Sequence, residues 1–386
     1  IAELIDRRMD ACMEEQPEEF PQTLGERLKL HRELFDSFRR LDILQELVDD
    51  PRVTEIMVNG PDQVFVETGG KIGRWEKSFE SREQLEDLIQ QIVSSVNRIV
   101  NTSMPLADAR LSDGSRVHVV LEPIALNGPI LTIRKFPEPM TMERLLDYGS
   151  ISPEAADLLK TLVAARYNIF VSGGTGAGKT TFLNALSEFI PPGERVITIE
   201  DAAELQLNHI ENLVRMETRE ANAEGAGAIG IGELIRAALR MRPDRLIIGE
   251  VRGKEALDLL QSLNTGHDGG FSSGHANSVK DMLSRLETMV LMAADLPLAA
   301  IRSQIASAVD IMVHVSRMRD KTRKVTAIEE VDRFENGEII LNPLFTFREA
   351  EKAGDGFGNT GKVEGSLEQI GTLKHREKLR LAGYRV

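Results

Sequence analysis

Residues 173–180 combine glycines, a lysine and a threonine at the spacing that binds nucleotide phosphates. They read Gly-Gly-Thr-Gly-Ala-Gly-Lys-Thr, a complete match to G-x-x-x-x-G-K-[ST]. The glycines allow successive backbone N–H groups to turn toward phosphate oxygens, and a following helix adds its positive amino end. Lys179 is expected to bridge the β- and γ-phosphates, and Thr180 to offer its hydroxyl to Mg²⁺. The motif therefore predicts a site for a nucleoside triphosphate, with ATP and Mg²⁺ as the bound pair.

The motif lies between a strand and a helix, which is the context that it requires. The apolar run 168–171 precedes it as a buried strand, and residues 181–186 continue it as a helix. A chance match in a glycine-rich turn would lack that context. The residues predicted to contact the nucleotide are Gly173, Gly174, Thr175, Gly176, Ala177, Gly178, Lys179, Thr180 and Thr181.

Two acidic segments downstream of the motif follow predicted strands. The apolar strand 245–249 runs into Glu250, which could hold the water shell of the magnesium ion or polarise the attacking water. The strand 196–200 ends in an acidic cluster that contains Glu200 and Glu204. Carboxylates on neighbouring strand ends can divide the work between metal and water. The alternative for the cluster on its own is a solvated acidic turn.

Residues 265–278 form a segment rich in glycine and serine that carries His267 and His275. We interpret it as a flexible loop that follows the strand 245–249. Imidazole donates hydrogen bonds to phosphate oxygens, so two histidines here suggest a sensor of the γ-phosphate. Metal ligation is the alternative, but neither a cysteine nor a third histidine lies near this segment in the sequence.

The composition bounds the class of protein. A chain of 386 residues favours two domains, and 41% hydrophobic with 28% charged residues is ordinary for a chain that buries a core. The net charge of −14 argues against nucleic acid as the main partner. The single cysteine, Cys12, excludes an intramolecular disulfide and a cysteine-only metal site. No apolar stretch has the length of a membrane span, and no signal peptide is recognisable. Because the sequence begins at Ile1 and not at a methionine, we expect that an amino-terminal piece is left out.

The order of elements predicts how these residues are positioned. After residue 150, strands and helices alternate as in a parallel sheet with crossover helices, and Asn336-Gly337 predicts a hairpin that closes the sheet edge. Before it lies a mixed zone whose helix is capped by Ser81, with Gln84 in a capping box. The Pro137-Glu138-Pro139 segment marks the boundary. The predicted divisions are a helical segment, 1–48; an α+β domain, 49–135; an interdomain linker, 136–149; an α/β nucleotide-binding domain, 150–346; and a loosely held carboxy-terminal tail, 347–386.

Four motifs in this order resemble those of the secretion-superfamily ATPases, which power type II and type IV secretion and related pili. In that family they are the Walker A motif, Asp box, Walker B motif and His box, here residues 173–181, 197–205, 239–253 and 265–278. The tight-adherence (Tad) pilus ATPase, CpaF, is the branch that residues 239–245 and the charged amino-terminal helices resemble most, with the VirB11 branch next. The resemblance implies an α/β, RecA-like P-loop NTPase core, a smaller amino-terminal α+β domain and an amino-terminal helical segment. Branches with a four-cysteine zinc insertion differ from this chain, so no zinc is expected.

The resemblance implies a role for each matching residue. Lys179 and Thr180 match the phosphate and Mg²⁺ ligands. Glu204 matches the Asp-box glutamate that activates water, and Glu250 matches the Walker B acid, also expected at the metal. In the His box, His275 matches the histidine near the γ-phosphate, and His267 matches the first histidine of the box.

The amino-terminal domain is implied to complete the site. Arg116 and Arg134 match arginines that reach across a cleft between the domains to the phosphates. Each lies at a strand end, and guanidinium suits a phosphate that gains charge in the transition state. A surface salt bridge is the alternative for each, and it is favoured for Arg110, the third candidate. Arg240 and Arg242 are expected to contact the nucleotide or a neighbouring subunit.

Together these features predict ATP hydrolysis. The resemblance alone implies a homo-oligomeric ring, a hexamer, with each site in the cleft between the two domains. On the resemblance alone, the ring docks on an inner-membrane platform protein at the cytoplasmic face and drives pilin assembly or substrate export. A RecA-like motor that translocates nucleic acid is the alternative, and the acidic composition disfavours it. A nucleotide-gated scaffold with little turnover is also disfavoured, because the expected acids and arginines are present.

Overall fold

The computed structural model describes residues 41–96, 98–136, 139–219, 221, 227–350 and 363–384, with residues 5, 7–9, 23 and 25–31 near the amino terminus. The chain divides into two compact units, Ile1–Glu138 and Pro139–Val386. Of the predicted boundary segment, Pro137 and Glu138 lie outside the described residues. Most of the predicted amino-terminal helical segment also lies outside them, so its helices stay a prediction.

The amino-terminal unit is built on an antiparallel sheet of six strands in the order β3-β2-β1-β6-β5-β4. A short helix α1 (Gln45–Asp49) and a longer helix α2 (Arg82–Ser95) accompany it. The strands are β1 (Val53–Asn59), β2 (Val64–Thr68), β3 (Lys71–Arg74), β4 (Leu106–Arg110), β5 (Arg116–Val120) and β6 (Ile130–Arg134). Apolar residues that alternate along β1, β2, β4, β5 and β6 pack against the apolar side of α2, and both enter one core.

One of the two hydrogen bonds predicted for the capping box of α2 is present. Ser81 precedes the helix and accepts a hydrogen bond from the backbone N–H of Gln84 at 3.2 Å. The side chain of Gln84 accepts from the backbone N–H of Glu80 at 2.7 Å, one residue before the position that a capping box uses. The predicted helix start is therefore confirmed, with a shifted reciprocal bond.

The carboxy-terminal unit contains a sheet of nine strands in the order β15-β14-β13-β12-β7-β11-β10-β8-β9. The six strands from β12 to β9 in this order are parallel, and β13, β14 and β15 continue the sheet antiparallel. The strands are β7 (Ile169–Gly173), β8 (Val196–Glu200), β9 (Leu213–Glu217), β10 (Arg245–Ile248), β11 (Phe271–His275), β12 (Ile311–Arg317), β13 (Arg323–Glu335), β14 (Glu338–Glu349) and β15 (Gly365–Gln369).

Helices cover both faces of this sheet, as the α/β prediction requires. The helices are α3 (Met142–Asp147), α4 (Pro153–Ala164), α5 (Lys179–Ser187), α6 (Ile231–Ala238), α7 (Glu255–Leu263), α8 (Val279–Ala293), α9 (Leu298–Ala308) and α10 (Glu377–Leu381). The core on one face includes residues of α3, α4, α5 and α10, and the core on the other includes residues of α6, α7, α8 and α9. Helix α3 thus belongs to this unit, although the sequence assigned 136–149 to a linker.

The largest difference from the sequence prediction concerns residues 265–278. The predicted flexible loop is wrong for its second half, because Phe271–His275 form the buried strand β11 between β7 and β10. Small side chains are needed there: a Cβ on Gly274 would lie 2.8 Å from Met282, which packs on this face from α8. The glycine and serines of β11 are therefore explained by tight packing.

The carboxy-terminal end of the chain also differs from its prediction. The prediction of a loosely held tail is wrong for residues 363–384, because they add β15 to the sheet and pack α10 against the core. On α10, Lys378 Nζ contacts Asp310 at 2.6 Å and Asp268 at 2.7 Å. The Asn336-Gly337 hairpin is confirmed between β13 and β14, but β15, and not this hairpin, forms the sheet edge.

Among the described residues, no single helix has both the length and the apolar composition to cross a membrane. Helices α8 and α9 pass that test only when they are counted together, and they are bent by 119° relative to each other.

Candidate functional site

The predicted phosphate loop lies at the carboxyl edge of the parallel sheet. Strand β7 ends at Gly173, and α5 begins at Lys179. Gly178 precedes the helix with φ of +95°, a left-handed conformation that glycine adopts without steric cost. The backbone N–H groups at the start of α5 have no partner within the helix and can bind an anion.

The parallel register brings the other motifs to the same edge. Gly173 at the end of β7 is paired with His275 at the end of β11, and Ile248 of β10 is paired with Ile199 of β8. Residues just beyond these strand ends therefore face the phosphate loop. This is the physical reason why motifs spread over 100 residues of sequence form one site.

Four charged or titratable side chains form a continuous chain at this edge. Lys179 Nζ lies 3.2 Å from Nδ1 of His275, and Nε2 of the same ring lies 2.8 Å from Oε1 of Glu250. The second oxygen of Glu250 accepts a hydrogen bond from Nη2 of Arg252 at 3.0 Å. The predicted Lys179, Glu250 and His275 are thus brought together, and Glu250 lies between the His275 ring and the guanidinium of Arg252.

The surroundings of these four side chains favour a neutral His275. Burial lowers the pKa of His275, and the positive charges of Lys179 and Arg252 lower it further against the opposing effect of Glu250. Burial also lowers the pKa of Lys179. A protonated lysine donates to Nδ1, so we assign the ring proton to Nε2, where it faces the carboxylate.

A second acid, Glu200, is buried at the end of β8. Its Oε1 accepts hydrogen bonds from the backbone N–H groups of Glu204 at 2.9 Å and Leu205 at 3.0 Å. A Cβ on Gly249 would lie 2.8 Å from the Glu200 side chain, so only glycine fits immediately before Glu250. Glu200 therefore holds the backbone of Glu204 and packs beside the residue that precedes Glu250.

Burial raises the pKa of Glu200 from 4.5 to about 7, against the backbone hydrogen bonds that lower it. The folded protein therefore keeps a proton that the unfolded chain releases, and this stabilising contribution is complete below about pH 4.5 and lost as the pH rises through 7. Glu200→Gln has no such proton to release. We therefore expect the melting temperature of the variant minus that of the wild type to increase from pH 5 to pH 8, as measured by thermal melts.

The matched control is Glu154→Gln, at an exposed position on α4. Its melting temperature relative to the wild type should not change with pH. A Glu200→Gln curve parallel to that of the wild type over the same pH range would contradict the buried, protonated carboxyl.

Glu204 and Asp201 lie in the turn after β8, near Arg252. The pKa of Arg252 is raised by its hydrogen bond to Glu250, and also by the charges of Asp201 and Glu204. The arginine therefore lies within electrostatic reach of both acidic motifs. The sequence pattern includes Arg252 in the Walker B segment without giving it a role of its own. Its spacing of two residues from Glu250 is the signal that could identify it.

In the amino-terminal unit, three arginines lie side by side. Arg110 of β4 is paired with Arg116 of β5, which is paired with Arg134 of β6. Directly paired residues in antiparallel strands point to the same face of a sheet. Arg116 and Arg134, the predicted pair, are therefore neighbours on one face, with Arg110 beside them and its guanidinium 5.9 Å from the centre of the Phe136 ring.

Three predicted residues lie away from the phosphate loop. His267 precedes β11, so it is at the amino edge of the sheet, while His275 is at the carboxyl edge. The interpretation of both histidines as γ-phosphate sensors is therefore wrong for His267. Arg240 and Arg242 are exposed between the end of α6 and the start of β10, also at the amino edge. Their position excludes contact with a nucleotide on the phosphate loop of their own chain.

Comparison with known proteins identifies the family. A family model described as "Type II/IV secretion system protein" matches residues 39–344, most of the chain. The chain belongs to this family. It is accordingly a P-loop ATPase of the type II/IV secretion and pilus class, as the order of its motifs and its fold predict.

Relatives within the type II/IV secretion family cover most of the chain. A putative conjugal transfer protein of Mycobacterium tuberculosis (strain ATCC 25618 / H37Rv) is 39% identical over 293 residues, 74% of this chain and 83% of that protein. The type IV secretion system protein PtlH of Bordetella pertussis is 35% identical over 291 residues, 69% and 86% of the two chains. VirB11 of Brucella suis, also a type IV secretion system protein, is 33% identical over 308 residues, 71% and 84%.

Solved structures show the same fold at lower identity. The ATPase DotB of Legionella pneumophila matches with a TM-score of 0.55 at 19% identity, over 79% of this chain and 81% of that chain. The pilus retraction motor PilT matches with a TM-score of 0.55 at 18% identity, over 78% and 81%. The α/β core with a smaller amino-terminal domain is thereby confirmed as the fold.

Proposed function

We propose that this chain is the ATP-hydrolysing motor of a type IV pilus of the tight-adherence class, or of a related type II or type IV secretion machine. The observation that carries the proposal is the contact chain Lys179–His275–Glu250 at the phosphate loop. It joins the phosphate-binding lysine to the Walker B acid through one imidazole. A nucleotide-gated scaffold has no need of this arrangement, whereas an enzyme that senses and hydrolyses the γ-phosphate does.

The residues present suit a magnesium ion. The oxygen Oε1 of Glu250 is buried and has no aligned hydrogen-bond donor, although the His275 ring lies at ion-pair distance. A hydroxyl and a carboxylate are ligands that Mg²⁺ accepts, so Thr180 and Glu250 would hold it, directly or through water. When bound, the ion supplies charge that neutralises the phosphate oxygens. Lys179 binds those oxygens, and His275 donates from its ring once the γ-phosphate displaces its present partners.

Glu204 is the proposed general base, and Arg116 with Arg134 the proposed arginine fingers. Glu200 accepts a hydrogen bond from the Glu204 backbone N–H and so fixes the segment that carries Glu204 after β8. The arginines share one face of the amino-terminal sheet, where two guanidinium groups can bind a phosphate together. Closure of the amino-terminal unit on the nucleotide would deliver them, and opening after hydrolysis would be the working stroke.

The assembly is proposed from the family. Membership of the secretion class supports the proposal that the chain forms a hexameric ring, docks on an inner-membrane platform protein and acts at the cytoplasmic face. The tight-adherence branch is proposed from residues 239–245. The net charge of −14 supports a protein partner over nucleic acid.

Glu204→Gln tests the catalytic assignment. A general base contributes about 10²–10⁴-fold, so turnover should fall by that factor while ATP binding is retained. Steady-state phosphate release and equilibrium binding of a fluorescent ATP analogue measure the two effects. In cells, the variant should also abolish pilus formation or secretion although the protein is present at normal level.

Glu211→Gln, at an exposed position in the segment before β9, is the matched control and should behave as wild type in all three assays. Loss of turnover in Glu250→Gln, with normal turnover in Glu204→Gln, would show that the two acids have the opposite roles. DNA-stimulated turnover of the wild type would instead favour the nucleic-acid motor.

A further inference from the structure

Arg323, the first residue of β13, lies against the phosphate loop of its own unit. Its Nε contacts the carbonyl oxygen of Gly176 at 3.4 Å. Its Cγ lies 3.7 Å from the position that a Cβ on Gly178 would occupy, and Thr181 lies 4.0 Å from the same position. The arginine stem and Thr181 therefore flank the glycine that opens α5. The predicted nucleotide contacts did not include Arg323.

The guanidinium of Arg323 has no acidic partner in the part of the chain that the structure describes. Its Nη1 contacts the carbonyl oxygen of Lys321 at 3.4 Å, so both of its hydrogen bonds are long and go to neutral carbonyls. In contrast, Arg319 in the preceding turn is paired with the carboxylate of Glu349. A protein with a net charge of −14 thus leaves one arginine beside its phosphate loop available to an anion.

The sheet order shows which end of a nucleotide Arg323 would meet. His275 and Glu250 mark the γ-phosphate end, and they follow β11 and β10 on one side of β7. Strands β12 and β13 lie on the other side of β7. With Lys179 between the two sides, Arg323 is on the side away from the γ-phosphate. The α-phosphate is the anionic group at that end of the nucleotide.

The turn that precedes Arg323 is held by several hydrogen bonds. Asp320 accepts from the backbone N–H of Thr322 at 2.9 Å and from its hydroxyl at 2.6 Å, and from the backbone N–H of Val363 at 2.7 Å. These bonds lower the pKa of Asp320 to about 2, the bond to the Thr322 hydroxyl having the largest effect. On the other side, Lys324 Nζ donates to the carbonyl of Gly149 at 2.7 Å. These bonds hold the backbone on both sides of Arg323.

We propose that Arg323 binds the α-phosphate of the nucleotide. The inference rests on nucleotide binding at the phosphate loop, which is part of the proposed function. A guanidinium exchanges its two long carbonyl contacts for charge-assisted bonds to phosphate oxygens. Because ATP and ADP share the α-phosphate, Arg323 contributes to the affinity for both. It thereby differs from Arg116 and Arg134, which are proposed to act on the γ-phosphate.

Equilibrium titration of the full chain with fluorescent ADP and with a slowly hydrolysed fluorescent ATP analogue tests this assignment. Arg323→Ala should weaken both ligands to a similar extent, by about tenfold, as expected for the loss of one charge-assisted hydrogen-bonded contact. Arg323→Lys should recover part of the loss. Arg319→Ala, in the same turn but paired with Glu349, is the matched control and should bind both ligands as wild type.

Three other outcomes would contradict the assignment of Arg323 to the α-phosphate. A loss confined to the ATP analogue would place Arg323 at the γ-phosphate, and a loss for ADP without a loss for GDP would indicate a contact with the base. Unchanged binding by Arg323→Ala, while Lys179→Ala loses affinity in the same assay, would remove Arg323 from the site and leave the phosphate loop intact. Normal binding by Lys179→Ala would instead contradict the proposed function itself.

Discussion

Lys179→Ala is expected to abolish ATP hydrolysis and to weaken nucleotide binding. The side chain is buried at the start of α5, where its ammonium group faces the predicted β- and γ-phosphates and contacts His275 at 3.2 Å. Its removal takes away the positive charge on which the transferred phosphoryl group depends. Phosphate release by the purified variant should not exceed background, and titration with a fluorescent nucleotide should show a raised Kd.

The same substitution should not unfold the protein. Burial lowers the pKa of Lys179, so the charge is held at a cost in the absence of nucleotide. The melting temperature of Lys179→Ala is therefore expected to equal or exceed that of the wild type. Lys160→Ala, at an exposed position on α4, is the matched control for both assays. Near-normal turnover by Lys179→Ala would contradict the assignment of residues 173–180 as the phosphate loop.

Arg134→Ala is expected to reduce turnover by about 10³–10⁵-fold, the range that arginine fingers contribute to phosphoryl transfer. ADP affinity should change little, because the arginine is proposed to act on the γ-phosphate, which ADP lacks. Arg134 is paired with Arg116 on the neighbouring strand, so Arg116→Ala should give a loss of similar kind. Single-turnover hydrolysis at saturating ATP measures the effect separately from binding.

Arg74→Ala, at an exposed position on the edge strand β3 of the same sheet, is the matched control and should turn over normally. A chain of residues 139–386 should bind nucleotide and hydrolyse it as slowly as Arg134→Ala does. Full activity of that shortened chain would show that the amino-terminal unit is a docking module and does not contribute to catalysis.

The sequence predicted the parts of the fold whose local pattern determines their structure. The phosphate loop, the start of α2 at Ser81 and the hairpin at Asn336-Gly337 were found because each depends on a few adjacent residues. The strand that ends at Glu200 was found from its apolar run. In each case the signal lies in adjacent residues of the sequence.

Strand β11 was missed because its stability comes from elsewhere. Its residues Phe271–His275 have the composition of a loop, and only the neighbours β7 and β10 and the Met282 side chain of α8 make them a strand. The same error made His267 and His275 look equivalent. A residue-by-residue pattern contains no information on which end of an unrecognised strand each histidine occupies.

Arg323 was missed for a related reason. It is 144 residues from Lys179 in sequence, and it reaches the loop only because β12 pairs with β7 and β13 with β12. Likewise, the raised pKa of Glu200 follows from burial, and the neighbouring Gly249 lies immediately after a different strand, β10. The chemistry-bearing residue types could be found from the sequence, whereas the pairings that determine their properties required the sheet order.

The packed carboxy-terminal end of the chain, residues 363–384, has a consequence for how this ATPase domain can be shortened. Without β15, the twelve-residue strand β14 would become an unprotected edge with open N–H and C=O groups, a template for pairing with another chain. Without Lys378, the half-buried carboxylate of Asp310 would lose the cation that offsets its partial burial. A fragment that stops at residue 346 would keep every nucleotide-binding motif and still be prone to aggregate. The smallest independently soluble ATPase domain therefore extends to the end of α10, about a hundred residues beyond the last of its motifs.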